Sequence, residues 1–209
     1  MGVEIDAAFP GGNIILEGIE GDSVRVRQDL RDTKGDWFYW YFRARGAAGR
    51  TIKFSFPGGD SIGVRGPGLS LDGGRTWEWL GAGPSDGASF RYSFPPGCGE
   101  VRFSFGMPYV ESGLRSFLSR HSGSPNLRIE GLAVTRKGRR AELLRLGRLD
   151  CGCEHRVLLA CRHHSCEMMA SYVLEGVIEA VLGKGEDGEW FRRRAEVMAV
   201  PFVDKDGVE

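Results

Sequence analysis

Across the first half of the chain, apolar and polar residues alternate with a period of two. Ile52, Phe54 and Phe56 alternate with Lys53 and Ser55, and Val101, Phe103 and Phe105 alternate with Arg102 and Ser104. Each run offers one apolar and one polar face, as strands do when two sheets pack face to face. Such runs, divided by Gly- and Pro-rich turns, predict strands over Asn13–Glu20, Ser23–Asp29, Asp36–Arg45, Arg50–Phe56, Thr76–Leu80, Ser89–Phe94 and Glu100–Gly106. Arg25, Arg27, Arg43 and Arg45 take the wet faces.

One segment departs from the alternation. In DWFYWYFRAR, Trp37, Tyr39 and Tyr41 share one face, and Phe38, Trp40 and Phe42 share the other. A central strand covered on both sides accounts for this, and a face of exposed rings stacking on sugars is the competing reading. A second local feature, SLDGGRTW over Ser70–Trp77, resembles the Asp-box turn of sialidases and related β-propellers. It occurs once, with no blade-length repeat, so it predicts a stabilised β-hairpin rather than a propeller.

After Met107 the period lengthens. Leu114, Phe117 and Leu118 recur at helical spacing. Two strand-like runs, Asn126–Arg136 and Arg139–Leu146, then flank Lys137 and Gly138 as a hairpin. Val157–Ala160 is a continuous apolar run, which predicts a strand buried on both faces of a parallel or mixed sheet. Leu174, Val177, Ile178, Val181 and Leu182 form the apolar stripe of a helix that Gly183 and Gly185 stop. Glu196–Val203 predicts another buried strand and Asp204–Gly207 a turn, so strand, helix and strand imply a right-handed crossover. A boundary near residue 108 divides the chain into domains over 1–108 and 109–209.

Composition narrows the partners. The 28 Lys and Arg balance the 28 Asp and Glu among 209 residues, so no net field recruits nucleic acid or an anionic membrane. No apolar run approaches the roughly 20 residues of a membrane span, and MGVEIDAAFPGG lacks a leader pattern. The expectation is a soluble, cytoplasmic protein. Five cysteines, an odd number, point to reduced thiols rather than a disulfide framework. Cys151, Cys153, His155, Cys161 and Cys166 cluster, yet they lack the paired C-x-x-C knuckles of zinc ribbons, and they read as buried or incidental thiols.

The candidate chemistry lies between the apolar run and the helix. His164 and Glu167 form an H-x-x-E pair at the carboxyl end of a predicted strand, where open α/β sheets place their ligands. An imidazole and a carboxylate so spaced can reach one divalent metal ion. His163 competes for that role, because residues 163 and 167 are also within reach on a helical turn, and Cys166 stands beside Glu167.

From Tyr109 onward the order of short helix, hairpin across Lys137–Gly138, apolar strand, H-x-x-E and long helix resembles the zinc metallocarboxypeptidases. Pro108 and Tyr109, following an all-β unit, narrow the likeness to the cytosolic carboxypeptidase-like subfamily, whose members carry an amino-terminal β-sandwich. DKDGV at Asp204–Val208 stands where that subfamily has NPDGV, and Asp204 and Lys205 depart from it. The resemblance implies an all-β sandwich domain followed by the incomplete start of an α/β, mixed-sheet zinc carboxypeptidase domain. It implies one Zn2+ held by His164 and Glu167, with His163 and Cys166 near the site. A third ligand, the substrate-binding arginines and the general base are expected beyond Glu209, so this chain carries no catalytic residue of its own. The expected activity of the intact protein is hydrolysis of carboxyl-terminal peptide bonds in peptides or protein tails. The alternative is a non-catalytic β-sandwich interaction or carbohydrate-binding module with a degenerate α/β extension.

Overall fold

The computed structural model describes residues 2–31, 33–35 and 37–209. The chain forms two compact units, Met1–Pro108 and Tyr109–Glu209.

The first unit contains β1 (Glu4–Asp6), β2 (Ile15–Glu20), β3 (Ser23–Arg27), β4 (Tyr41–Arg45), β5 (Thr51–Ser55), β6 (Gly68–Ser70), β7 (Glu78–Trp79), β8 (Ser89–Ser93) and β9 (Glu100–Ser104). They form a five-stranded sheet, β1-β4-β9-β6-β7, and a four-stranded sheet, β2-β3-β5-β8. Pairing is antiparallel except between β3 and β5. The inward faces meet in an aromatic core. Phe42 on β4 lies 5.3 Å from Phe54 on β5, and Phe54 lies 5.2 Å from Phe103 on β9, centroid to centroid. Each fully buried ring of this kind stabilises the fold by about 1.5–3 kcal/mol. The alternation read from residues 52–56 and 101–105 is therefore the inner face of a sandwich.

From Tyr39 to Phe42 the aromatic segment is covered on both sides. Tyr39, Trp40, Tyr41 and Phe42 are buried, and β4 lies between β1 and β9. Trp40 donates its indole N–H to the Ser61 carbonyl at 2.6 Å. Regular strand starts only at Tyr41, Phe38 is exposed, and the predicted first residue, Asp36, lies outside the described residues. β1 and β6 are absent from the sequence reading, because three residues are too few to show a period. The SLDGGRTW segment forms a tight turn between β6 and β7. Asp72 accepts from the Arg75 and Thr76 amides, each at 2.9 Å, and from the Thr76 hydroxyl at 2.7 Å. Thr76's amide and hydroxyl, more than any other group, hold the Asp72 carboxyl well below the ordinary aspartate range.

The second unit contains α1 (Glu111–Ser119), β10 (Leu127–Val134), β11 (Arg140–Gly147), β12 (His155–Ala160), α2 (Met168–Leu182), α3 (Glu186–Arg194), β13 (Ala195–Val200) and α4 (Lys205–Val208). Its sheet runs β10-β11-β13-β12 and is mixed: β12 and β13 are parallel, and the other pairs are antiparallel. Leu174, Ile178 and Val181 of α2 share a core with Leu144 and Leu146 of β11 and with Val197 and Ala199 of β13. Leu114, Phe117 and Leu118 place α1 in the same core.

Two expectations change, and one helix is new. The Val157–Ala160 run is not buried on both faces, and Leu158 is 63% exposed. β12 pairs with β13 alone, so among the described residues it is an edge strand; Leu159 packs on the core, while Leu158 lacks cover. Residues 186–194, to which the sequence pattern assigns no element because Trp190 and Phe191 are too few to make an apolar stripe, form α3. Its acidic first turn, with Glu186, Asp187 and Glu189, and basic last turn, Arg192–Arg194, instead complement the helix dipole. The DKDG turn is a short helix, capped by Asp204, which accepts from the Gly207 amide at 3.0 Å.

Candidate metal centre

The carboxyl ends of β12 and β13 are stitched together just below the site. Cys161 donates its amide to the Val200 carbonyl at 3.0 Å, Val203 donates to the Cys161 carbonyl at 3.0 Å, and Asp204 donates to the Arg162 carbonyl at 2.9 Å. Arg162 takes φ +58°, in the left-handed region that residues other than Gly rarely adopt. The turn it makes carries His163 and His164 out of the strand. Glu167 closes the loop: its amide donates to the His164 carbonyl at 3.1 Å, and its own carbonyl accepts from Ala170 at 3.1 Å as α2 begins.

This short loop brings the H-x-x-E pair into contact. His164 Nδ1 lies 2.7 Å from Glu167 Oε1, and the His164 amide donates to Oε2 at 3.1 Å. The His164 side chain holds the Glu167 carboxyl below the usual glutamate range, followed by the His164 amide and the nearby charges. His164 is 69% and Glu167 43% exposed, so both can turn to meet an ion from solvent. A tetrahedral ion with ligands at about 2.0–2.1 Å separates two donors by roughly 3.4 Å. To hold one ion the pair would give up its mutual hydrogen bond and move its donor atoms apart by under about 1 Å, which their exposure leaves room for. Among the described residues, no third His, Cys, Asp or Glu joins it to make a group able to hold an ion.

The neighbours differ in kind. His163 is exposed, and its influence on Glu167 is a minor coulombic one. Cys166 is buried, and burial pushes its thiol pKa up, as it does for Cys161. Neither thiol has the depressed pKa of an activated nucleophile. All five cysteines are free.

Three features around the loop carry no signal in the sequence. Arg162 is 2% exposed, and its guanidinium donates to the Tyr109 carbonyl at 2.8 Å, the Ser171 hydroxyl at 3.1 Å and the Ser165 carbonyl. Lys205, at 1% exposure, donates to the Arg140 carbonyl at 2.7 Å and pairs with Glu142 at 2.5 Å and Glu111 at 3.3 Å. Tyr109 donates to Glu175 at 2.5 Å; burial first, and then that carboxylate, raise its pKa strongly. An arginine and a lysine read as surface residues, and a tyrosine as an ordinary aromatic, until their partners, far off in sequence, are known. Lys205 and Asp204, the departures from NPDGV, thus serve as a buried cation and a helix cap.

No protein-family model matches the chain. An uncharacterized protein of Zymomonas mobilis is 25% identical over 220 aligned residues, covering 99% of this chain and 55% of that protein. A metallo-carboxypeptidase from Pseudomonas aeruginosa, solved in complex with (2-guanidinoethylmercapto)succinic acid, superimposes with a TM-score of 0.80 at 25% identity, over 98% of this chain and 56% of its own. A metallo-carboxypeptidase from Burkholderia cenocepacia does so with a TM-score of 0.78 at 23% identity, over 99% and 57%. The chain has a metallo-carboxypeptidase fold. It spans just over half the length of the proteins it matches. No helix among the described residues is long and apolar enough to cross a membrane.

Proposed function

We propose that the intact protein is a zinc metallocarboxypeptidase of the cytosolic carboxypeptidase-like kind, acting in the cytoplasm on the carboxyl-terminal residues of peptides or protein tails. The observation that carries this reading is the His164–Glu167 contact at the carboxyl end of β12, 2.7 Å between donor atoms, in a fold shared over nearly its whole length with metallo-carboxypeptidases. His164 and Glu167 would supply two of the ligands, and a third ligand and the general base would come from elsewhere in the intact protein. When bound, zinc lowers the pKa of its water and polarises a carbonyl oxygen. The chain's own residues hold that chemistry in place: the Glu167 carboxylate stays ionised, and the paired ends of β12 and β13 fix the loop from which it and His164 emerge. The dicarboxylate ligand of the Pseudomonas relative has the anionic chemistry of a substrate terminus.

The carbohydrate-binding alternative loses its main support, because Tyr39, Trp40, Tyr41 and Phe42 are buried. The test is His164→Ala in the intact protein, with zinc content and release of the carboxyl-terminal residue from an N-blocked dipeptide measured together. Loss of both is expected, and retention of both overturns the proposal. The 209-residue chain alone is expected to bind zinc weakly and to cleave nothing; chelator-sensitive cleavage by it is the contrary result.

A further inference from the structure

Arg162 occupies a position that the H-x-x-E chemistry alone does not explain. It combines three uncommon properties at one residue: a left-handed backbone, a charged side chain removed from solvent, and hydrogen bonds to several separate segments. The guanidinium reaches the Tyr109 carbonyl before α1, the Ser165 carbonyl inside the metal loop and the Ser171 hydroxyl on the first turn of α2, while its centre lies 5.7 Å from the Phe202 ring. Its carbonyl accepts from the Asp204 amide at 2.9 Å, which ties the same residue to the cap of α4. A planar fork with five donors can serve several acceptors at once in a way that an ammonium cannot.

These bonds bracket the two candidate ligands. Ser165 lies between His164 and Glu167, and Ser171 lies one turn past Glu167 on the helix that fixes its backbone. Burying a cation is costly unless its donors are satisfied, and a strained φ persists only where surrounding bonds over-determine it. We propose that Arg162 is a positioning residue. It holds the 163–167 loop in the one backbone arrangement that places His164 and Glu167 side by side, and it thereby sets their affinity for a divalent ion. This rests on the assignment of the two residues as metal ligands, and its test separates the two ideas.

The experiment compares the wild-type chain with Arg162→Met, Arg162→Lys and Ser171→Ala. The first readout needs no metal: amide hydrogen exchange at His164, Glu167 and Asp204, with Val197 and Ala199 of β13 as references. Arg162→Met is expected to speed exchange at the first three by tenfold or more relative to the references. Arg162→Lys should fall between it and wild type, and Ser171→Ala should shift Glu167 by a few fold. A purely structural role would instead accelerate all five amides together. If Arg162→Met does not fold, Arg162→Lys and Ser171→Ala decide on the same criterion. The second readout is Co2+ titration, followed by paramagnetic broadening at residues 163–167, where the folded Arg162 variants should bind at least fivefold more weakly. Local exchange unchanged in every folded variant overturns the positioning role. Local exchange altered, with no Co2+-dependent broadening at residues 163–167 even in the intact wild-type protein, upholds the positioning of the loop and overturns the metal assignment.

Discussion

Lys205 permits a quantitative test of how the second unit is held together. Its ammonium is 1% exposed and lies between Glu142 Oε1 at 2.5 Å, Glu111 Oε2 at 3.3 Å and the Arg140 carbonyl at 2.7 Å. Replacing it with Met keeps the volume of the stem and removes the charge. Two carboxylates, each 17% exposed, then face a low-dielectric site without their cation, and the second Glu142 oxygen already lacks a partner. Breaking a fully buried pair costs about 3–5 kcal/mol. The residual exposure of both carboxylates, and the bridge from Glu111 to Arg115, reduce this to about 2–4 kcal/mol. Against a domain stability of about 5–15 kcal/mol, that is a large fraction. Native-state hydrogen exchange at β11 and β13 reads the stability of this unit separately from that of the sandwich. The variant Lys205→Met should lower the protection of Leu144, Val197 and Ala199 together by the stated amount. Adding Glu142→Leu should recover at least half of the loss, because the uncompensated charge is then gone. A loss below about 1 kcal/mol, or a double variant no better than the single, would refute the assignment of a buried ion pair.

Other outcomes follow from particular residues. Asp72 has a depressed pKa, so its contribution is present above the ordinary aspartate value of 3.8 and is lost as pH falls through its lower folded value. Thermal melts of wild type and Asp72→Asn should differ at neutral pH and converge below 3.8 as acid protonates the native carboxyl; a constant difference is the contrary result. Gly147 has φ +83°, and a Cβ there would meet the Ala195 carbonyl oxygen at 2.5 Å. Gly147→Ala should therefore cost about 2 kcal/mol or more, whereas the unhindered Gly176→Ala, in the interior of α2, should stabilise by about 0.5–1 kcal/mol, by urea denaturation. Leu158→Lys should leave stability within about 0.5 kcal/mol of wild type and reduce concentration-dependent light scattering of the chain, since a lysine blunts an exposed strand edge.

The fold was legible wherever burial imposes a short period. Phe54 and Phe103 announced inner faces of a sandwich, and Leu174, Ile178 and Val181 announced a helix against a sheet. It was less legible where cover is a matter of neighbours: Val157 and Leu158 have the apolar sequence of an interior strand, yet they lie on an edge. At the candidate centre, spacing alone brought forward His164 and Glu167, because donors of one loop are local in sequence. Arg162, Lys205 and Tyr109 stayed hidden for the opposite reason. Their meaning comes from partners such as Ser171, Glu142 and Glu175, and no local pattern encodes contacts of that range.

The Asp72 turn has a consequence for the order in which the sandwich assembles. Its hydrogen bonds join residues no more than four positions apart, from Ser70 to Thr76. Such closures occur on timescales of tens of nanoseconds to microseconds, before distant segments meet. The ladder between β4 and β9 instead joins Tyr41 to Ser104, and the search for that pairing bears the entropy of the intervening loop. In kinetic terms the turn is expected to act as a preformed corner, and the long-range pairing that assembles the Phe42–Phe54–Phe103 cluster is expected to be the slower step. Mutations at Asp72 should lower the folding rate only as far as that corner is needed in the transition state. Truncation of Phe103 should slow folding directly.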